Sequence, residues 1–227
     1  MIRVPRSALI GICMLLLSPL CSAQPPHYRD FEFGMNVDAV LKQTKMAASS
    51  ALTTFAVPDL IQTLRWEREG YFSNSGETDP VRSLRFDFYN NQLFRIVATY
   101  NTRRLEGVTA PDLIEAISKL YGTASQPDET IIVSAYTGYE DRQKVLARWD
   151  NAEAVYSLFR SSSGGEFGLV ASSKKLDGTA LLAIREAQRL DALAAPQREI
   201  DRRQKLAEEW RVQEEKARSV NLPNFQP

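Results

Sequence analysis

Two stretches of this chain, 73 residues apart, are built to the same plan. The first, FEFGMNVDAVLKQTK, places Gly34 ahead of an N-cap candidate at Asn36 and sets Val37, Val40 and Leu41 at helical spacing. The second, LEGVTAPDLIEAISKLYG, places Gly107 ahead of Thr109, carries Pro111 in the first turn, and sets Leu113, Ile114, Ile117 and Leu120 on one face. Gly34 aligns with Gly107, Asn36 with Thr109, Val40 with Leu113 and Leu41 with Ile114.

After each predicted helix comes a Trp-bearing strand, TLRWE at Trp66 and LARWD at Trp149, and then a predicted hairpin. The second strands of the two hairpins share the same offset, with Phe94, Ile96 and Ala98 aligned to Phe167, Leu169 and Ala171; the Trp strands sit 83 apart and require an insertion. In the first hairpin a two-residue loop at Asn90 and Asn91 sets Phe86 opposite Arg95 and mixes the faces. A three-residue loop, Tyr89 to Asn91, sets Phe86 opposite Phe94 and is preferred on that ground. The expectation is an α+β fold: two tandem units of short helix plus antiparallel sheet, spanning 24–105 and 106–177, followed by a C-terminal helical extension at 178–227.

The chain opens with Arg3 and Arg6, an apolar run from Ala8 to Leu17 and small residues at Ser22 and Ala23, the pattern of a secretory signal over 1–23 that leaves no stable membrane anchor after cleavage. Leu20 and Pro19 before Cys21 fit a lipidation signal poorly. Both cysteines, Cys13 and Cys21, lie inside the segment to be removed, so no disulfide, thiol chemistry or cysteine metal site is expected in the mature chain. Export without cysteine points to a bacterial periplasm or to secretion. The 28 basic residues are balanced by 28 acidic ones, which supplies no field to gather nucleic acid.

The glycine-led turn, the helix opening Gly34-Met35-Asn36 with Val40 following, and the helix end AISKLYGTAS around Tyr121 and Gly122 resemble the family of β-lactamase inhibitory protein and the small outer-membrane lipoproteins of the β-barrel assembly machinery. The resemblance covers about residues 30–175. The chain departs from it in lacking a lipobox cysteine and the disulfides of the inhibitory protein. The resemblance implies a noncatalytic module that offers a sheet surface to another protein; no binding residue is carried over.

Beyond Gly178 the composition is helical through Ala217, with Leu181, Leu182, Ile184, Leu190 and Leu193 ahead of Pro196, where a break or kink is expected. The following stretch is mostly charged, with Ile200, Leu206, Trp210 and Val212 scattered along it and no sustained heptad. Trp210 is the candidate anchor for a partner, and NLPNFQP is either a frayed end or a short peptide that docks through Phe225.

Parts for catalysis are scarce. His27 is the only histidine and lies near the mature terminus beside Pro25 and Pro26, where nothing is expected to orient it, so a Ser/His/Asp arrangement or a histidine-rich metal site is disfavoured. Ser172-Ser173-Lys174-Lys175 fits Ser-x-x-Lys but ends a predicted strand, and SSSGGEFG reads as a hairpin loop rather than a phosphate cradle. The carboxylate pairs Glu140 with Asp141 and Asp87 with Asp150 serve a glycosidase only if the fold spaces them suitably.

The sequence therefore points to an exported, noncatalytic protein-binding module of the bacterial cell envelope, with no cofactor and no metal. Its partner, another envelope protein, meets a sheet face bearing Arg85, Arg95 and Tyr100, helped by Trp210. That open face is expected to show Arg85, Asp87, Arg95, Val97 and Thr99. The alternative, a small-molecule or lipid-binding periplasmic protein, requires an apolar cavity between the units; a hydrolase is the third class.

Overall fold

The computed structural model describes residues 26–68, 79–134, 140–224 and 226. The proposed signal segment and Phe225 lie outside them. In chain order the elements are β1 (His27–Tyr28), β2 (Phe31–Glu32), α1 (Val37–Thr44), β3 (Ala51–Phe55), β4 (Ile61–Glu67), β5 (Val81–Tyr89) and β6 (Gln92–Tyr100). Then follow α2 (Ala110–Tyr121), β7 (Thr130–Ser134), β8 (Asp141–Asp150), β9 (Ala154–Arg160), β10 (Phe167–Ser173) and α3 (Lys174–Asn221).

The protein is α+β, with an eight-stranded antiparallel sheet in the order β3-β4-β5-β6-β10-β9-β8-β7, a two-stranded β1-β2 hairpin and a long C-terminal helix. Each half contributes one helix and four consecutive strands, and the halves join where β6 pairs with β10. The seam register sets Val97 against Val170, two residues that also align at the 73-residue offset. In an antiparallel pair only a residue on the twofold faces its own equivalent, so the pseudo-twofold that relates the halves passes through this pair.

Both predicted helix starts are present. Gly34 and Gly107 adopt φ of 92° and 78°, the left-handed region that glycine enters without a Cβ clash. The Asn36 side chain accepts from the Ala39 N–H at 2.8 Å, and Thr109 forms a capping box with Asp112. Val37, Val40 and Leu41 of α1 and Ile117 of α2 face the sheet over a core that includes Leu64, Phe86, Ile96, Leu158 and Leu169. Trp149 is buried in this layer and donates from Nε1 to Ser118 Oγ at 3.0 Å, which ties β8 to α2; Trp66 packs at the edge of the same core.

The first hairpin corrects the expected turn. Asn90 and Asn91 both have positive φ, 46° and 62°, and Tyr89 pairs with Gln92, so the loop has two residues. The mixing of faces is resolved by a bulge: Asp87 pairs with Arg95 but Phe88 pairs with Leu93, leaving Phe94 as the extra residue. Leu93 turns its backbone to the loop before α1, donating to Met35 O and accepting from Gly34 N, each at 2.8 Å. Phe86 therefore faces Ile96, and Phe94 rotates to the opposite face from its aligned residue Phe167.

That opposite face is not open to solvent at its centre. Helix α3 follows β10 without an intervening loop and lays Ala180, Ala183 and Ile184 on Phe94 and Ile61. On the other side of the seam, β8 pairs with β9 through its second half and with β7 through its first, and Ile131 and Val133 of β7 pack on Val97, Phe159 and Val170. Gly168 allows this packing, since a Cβ there would lie 2.3 Å from the Phe159 ring and 2.8 Å from Ala98 O.

Helix α3 also runs through Pro196 rather than ending there. Proline removes the backbone donor that would serve the Ala192 carbonyl, on an exposed stretch of the helix; beside it Arg198 donates to the Asp191 carbonyl at 3.0 Å and to its carboxylate at 2.7 Å. Ala187 is the last buried residue, and from Asp191 to Asn221 every side chain except the half-buried Glu199 is exposed. Among the described residues no helix is long and apolar enough to cross a membrane.

Candidate functional site

Between the two halves, on the helix-covered face, lies an open cavity of about 740 Å³. On its α2 side only Ile117 is fully buried, with Leu113 half-buried and Leu120 exposed at the rim. The β1-β2 hairpin closes the far side. The first half supplies Tyr28, Arg29 and Tyr100, and the second supplies Leu113, Ile117, Tyr121, Tyr156 and Leu169.

Four tyrosines dominate the wall. The rings of Tyr121 and Tyr156 stack with centroids 3.8 Å apart and planes 16° from parallel. The Tyr156 hydroxyl donates to the His27 carbonyl at 2.8 Å and so fastens the hairpin to β9. Tyr28 and Tyr100 are both buried in the same wall. Burial raises the pKa of all four, because the phenolate would lose its hydration; they are neutral hydroxyls throughout the physiological range.

The cation in the wall is already compensated. Arg29 donates two hydrogen bonds to Asp79, at 2.8 and 2.7 Å, and Arg68 donates to the same carboxylate. The Arg29 hydrogen bond, opposed by desolvation, lowers the Asp79 pKa to about 2. The Arg29–Asp79 pair is bidentate, with Arg68 sharing the carboxylate, so this part of the wall offers hydroxyl dipoles and apolar surface; Glu153 also lines the cavity and is exposed.

The residues expected to form one partner surface are in three places. Arg95 is 6 % exposed and donates to the Ile132 carbonyl; Arg85, largely buried, donates to the Val133 carbonyl and to Asp87. The open sheet face is thus corrected to a filled one, where the two guanidiniums satisfy backbone carbonyls of β7. Asp87 is fully buried there and also accepts from Thr63, while Arg95 Nε and Asp177 Oδ1 are buried without a hydrogen-bond partner. Tyr100 is on the other face, in the cavity wall, and Trp210 is 66 % exposed on α3.

The groups considered for chemistry are also held apart. The backbone of His27 lies in β1, paired to Glu32, so the chain is ordered at this position. Glu140 pairs with Arg142, and Asp141 accepts from Gln143. Asp87 belongs to the buried cluster under β7, whereas Asp150 is held by Lys174 and Arg148, the Lys174 hydrogen bond lowering its pKa most. Ser172 is buried near the end of β10 while Lys175 is exposed on α3. Among the described residues no cluster of three or more metal-ligating side chains is present.

Sequence reasoning named Tyr100 without its setting and missed Tyr28, Tyr121 and Tyr156 as a group. Their positions follow no period, because three elements and two halves deliver them. Fold and cavity together define a two-lobed α+β protein with a tyrosine-walled apolar cavity at the junction. Comparison with protein-family models, with curated proteins and with solved structures finds no match to the chain.

Proposed function

We propose that this is an exported, noncatalytic binding protein that takes a neutral, largely apolar small molecule into the cavity between its halves. The observation that carries this reading is the cavity itself: about 740 Å³, within the range of ligand sites, with a flat Tyr121–Tyr156 wall and neutral hydroxyls. An anionic ligand would not find Arg29 available, since it is engaged by Asp79, and Glu153, the carboxylate that also lines the cavity, is exposed. A neutral ring system or short chain meets no such penalty.

The test is fluorescence of Nile red, a neutral apolar dye. Brightening with micromolar affinity, lost in Ile117→Trp but kept in Leu182→Trp on the exposed side of α3, supports the site. Absence of brightening, or equal brightening in a folded Ile117→Trp protein, overturns it.

A second reading rests on a separate observation, the solvent-exposed length of α3. A helix with no tertiary packing from Asp191 onward that presents Leu193, Ile200 and Trp210 to water supports docking of another envelope protein on it. A photo-crosslinker placed at Trp210 should capture that protein in intact cells, and the same probe at Arg65 on β4 should not.

A further inference from the structure

We propose that α3 pairs with the α3 of a second copy of this chain, running antiparallel, through the face bearing Ile200, Arg203, Ala207, Trp210, Glu214 and Ala217. This deepens the partner-binding reading of α3 by naming the partner, and it is independent of the cavity.

The argument begins with which side chains share a face. At about 100° per residue, these six positions fall within an arc of about 100°, alternating three and four residues apart over about three heptads. All six are exposed, and no other element of the described chain covers them. The seam is imperfect for a generic coiled coil, because it carries Arg203 and Glu214 and only two large apolar residues. Those irregularities select a partner and a direction.

Laid antiparallel with the crossing midway between Ala207 and Trp210, the seam is its own complement. Arg203 of one copy meets Glu214 of the other, Ala207 meets Trp210, and Ile200 meets Ala217. Every large side chain is opposite a small one and the charges are opposite in sign, twice each, as a twofold interface requires. Within one chain Glu199 already serves both Arg202 and Arg203, at 2.8 and 2.7 Å, so a second carboxylate from the partner evens the count. Parallel, in-register pairing instead opposes Arg203 to Arg203 and Glu214 to Glu214, which like-charge repulsion disfavours.

The rest of the molecule permits this arrangement. In the antiparallel register the partner's helix end at Asn221 lies opposite Pro196, nine residues beyond the last buried position, Ala187. At 1.5 Å per residue that is about 13 Å of clearance from the globular body. The paired segment thus begins where Pro196 interrupts the backbone ladder, and the two bodies lie at opposite ends of the assembly.

Equilibrium sedimentation of the mature protein tests the proposal. A concentration-dependent dimer is expected, weakened about tenfold by Arg203→Glu and by Glu214→Arg, and restored when both changes are combined in one chain. The register is read separately in a variant carrying Ile200→Cys and Ala217→Cys, which adds the only cysteines to the mature chain. Oxidation should link residue 200 to residue 217 between chains. The two positions are about 26 Å apart on one helix, so the bond cannot form within it.

Links of 200 to 200 and 217 to 217 would overturn the antiparallel register. A protein that stays monomeric to about 100 μM, or a double charge exchange that fails to restore pairing, overturns the second copy as partner. Neither outcome touches the wider docking role of α3, which fails only if the probe at Trp210 captures no protein in cells.

Discussion

At the scale of single residues, two close contacts and two carboxylates decide the most. Gly168 is needed because the Phe159 ring lies across it and Ala98 O closes the other side, so Gly168→Ala forces a backbone or ring shift. A loss of about 2–3 kcal/mol is expected by denaturant titration, and a value near zero would show that the ring moves freely. Asp79 and Asp177 respond to pH with opposite signs. The Asp79 pKa falls from 3.8 to about 2, so its stabilising contribution is present above its ordinary value and is lost as pH falls through the folded one. Burial raises the Asp177 pKa, so its contribution is lost as pH rises from its ordinary value toward the raised one. Asp79→Asn should destabilise at pH 7 by about 1–3 kcal/mol and remove part of the acid lability. Asp177→Asn should leave stability at pH 7 unchanged or higher; thermal melts of both variants at several pH values check the signs.

At the scale of elements, the bulge in β6 and the first turns of α3 act as one device. Phe94 is turned onto the second face by the bulge, and its seat among Ile61, Ala180, Ala183 and Ile184 is what holds α3 against the sheet. Phe94→Ala should cost about 3–4 kcal/mol and release the start of α3, seen as faster hydrogen exchange at Ala180 and Ala183. Ending the chain after Leu190 should leave the melting temperature unchanged, because nothing beyond it packs on the body. The helices were legible in the sequence because a cap, a glycine and a 3.6-residue period all agree at Asn36 and Thr109. The bulge was not, since alternation alone cannot show that Leu93 bonds to the loop at Gly34 and Met35. The continuity of α3 through Pro196 was hidden for a related reason: the helix is exposed around Ala192, so water can serve the carbonyl left without a donor, which a proline rule does not weigh. The cavity was least legible, because its walls come from both halves, and Leu113 and Leu120 look like ordinary core positions in a helical stripe.

At the scale of the whole molecule, the repeat visible in the sequence becomes one sheet rather than two. The seam between β6 and β10 is as continuous as the pairings inside either half, and the core beneath it draws Ile96 and Ala98 from one half and Leu169 and Ala171 from the other. Two domains joined by a linker would unfold separately; a shared sheet and core should unfold together. The three tryptophans allow a direct check. With Trp210→Phe as background, one variant keeps only Trp66, in the first half, and another keeps only Trp149, in the second. Into each is placed Leu158→Ala, which removes a fully buried side chain from β9 and should cost about 2–5 kcal/mol. If the halves form one cooperative unit, denaturant midpoints reported by Trp66 and Trp149 shift down together, although the lesion lies in the second half. If Trp149 shifts and Trp66 does not, the halves are independent folding units. A ligand in the cavity should then favour the joined state, since its walls come from both halves and exist only when the seam is closed.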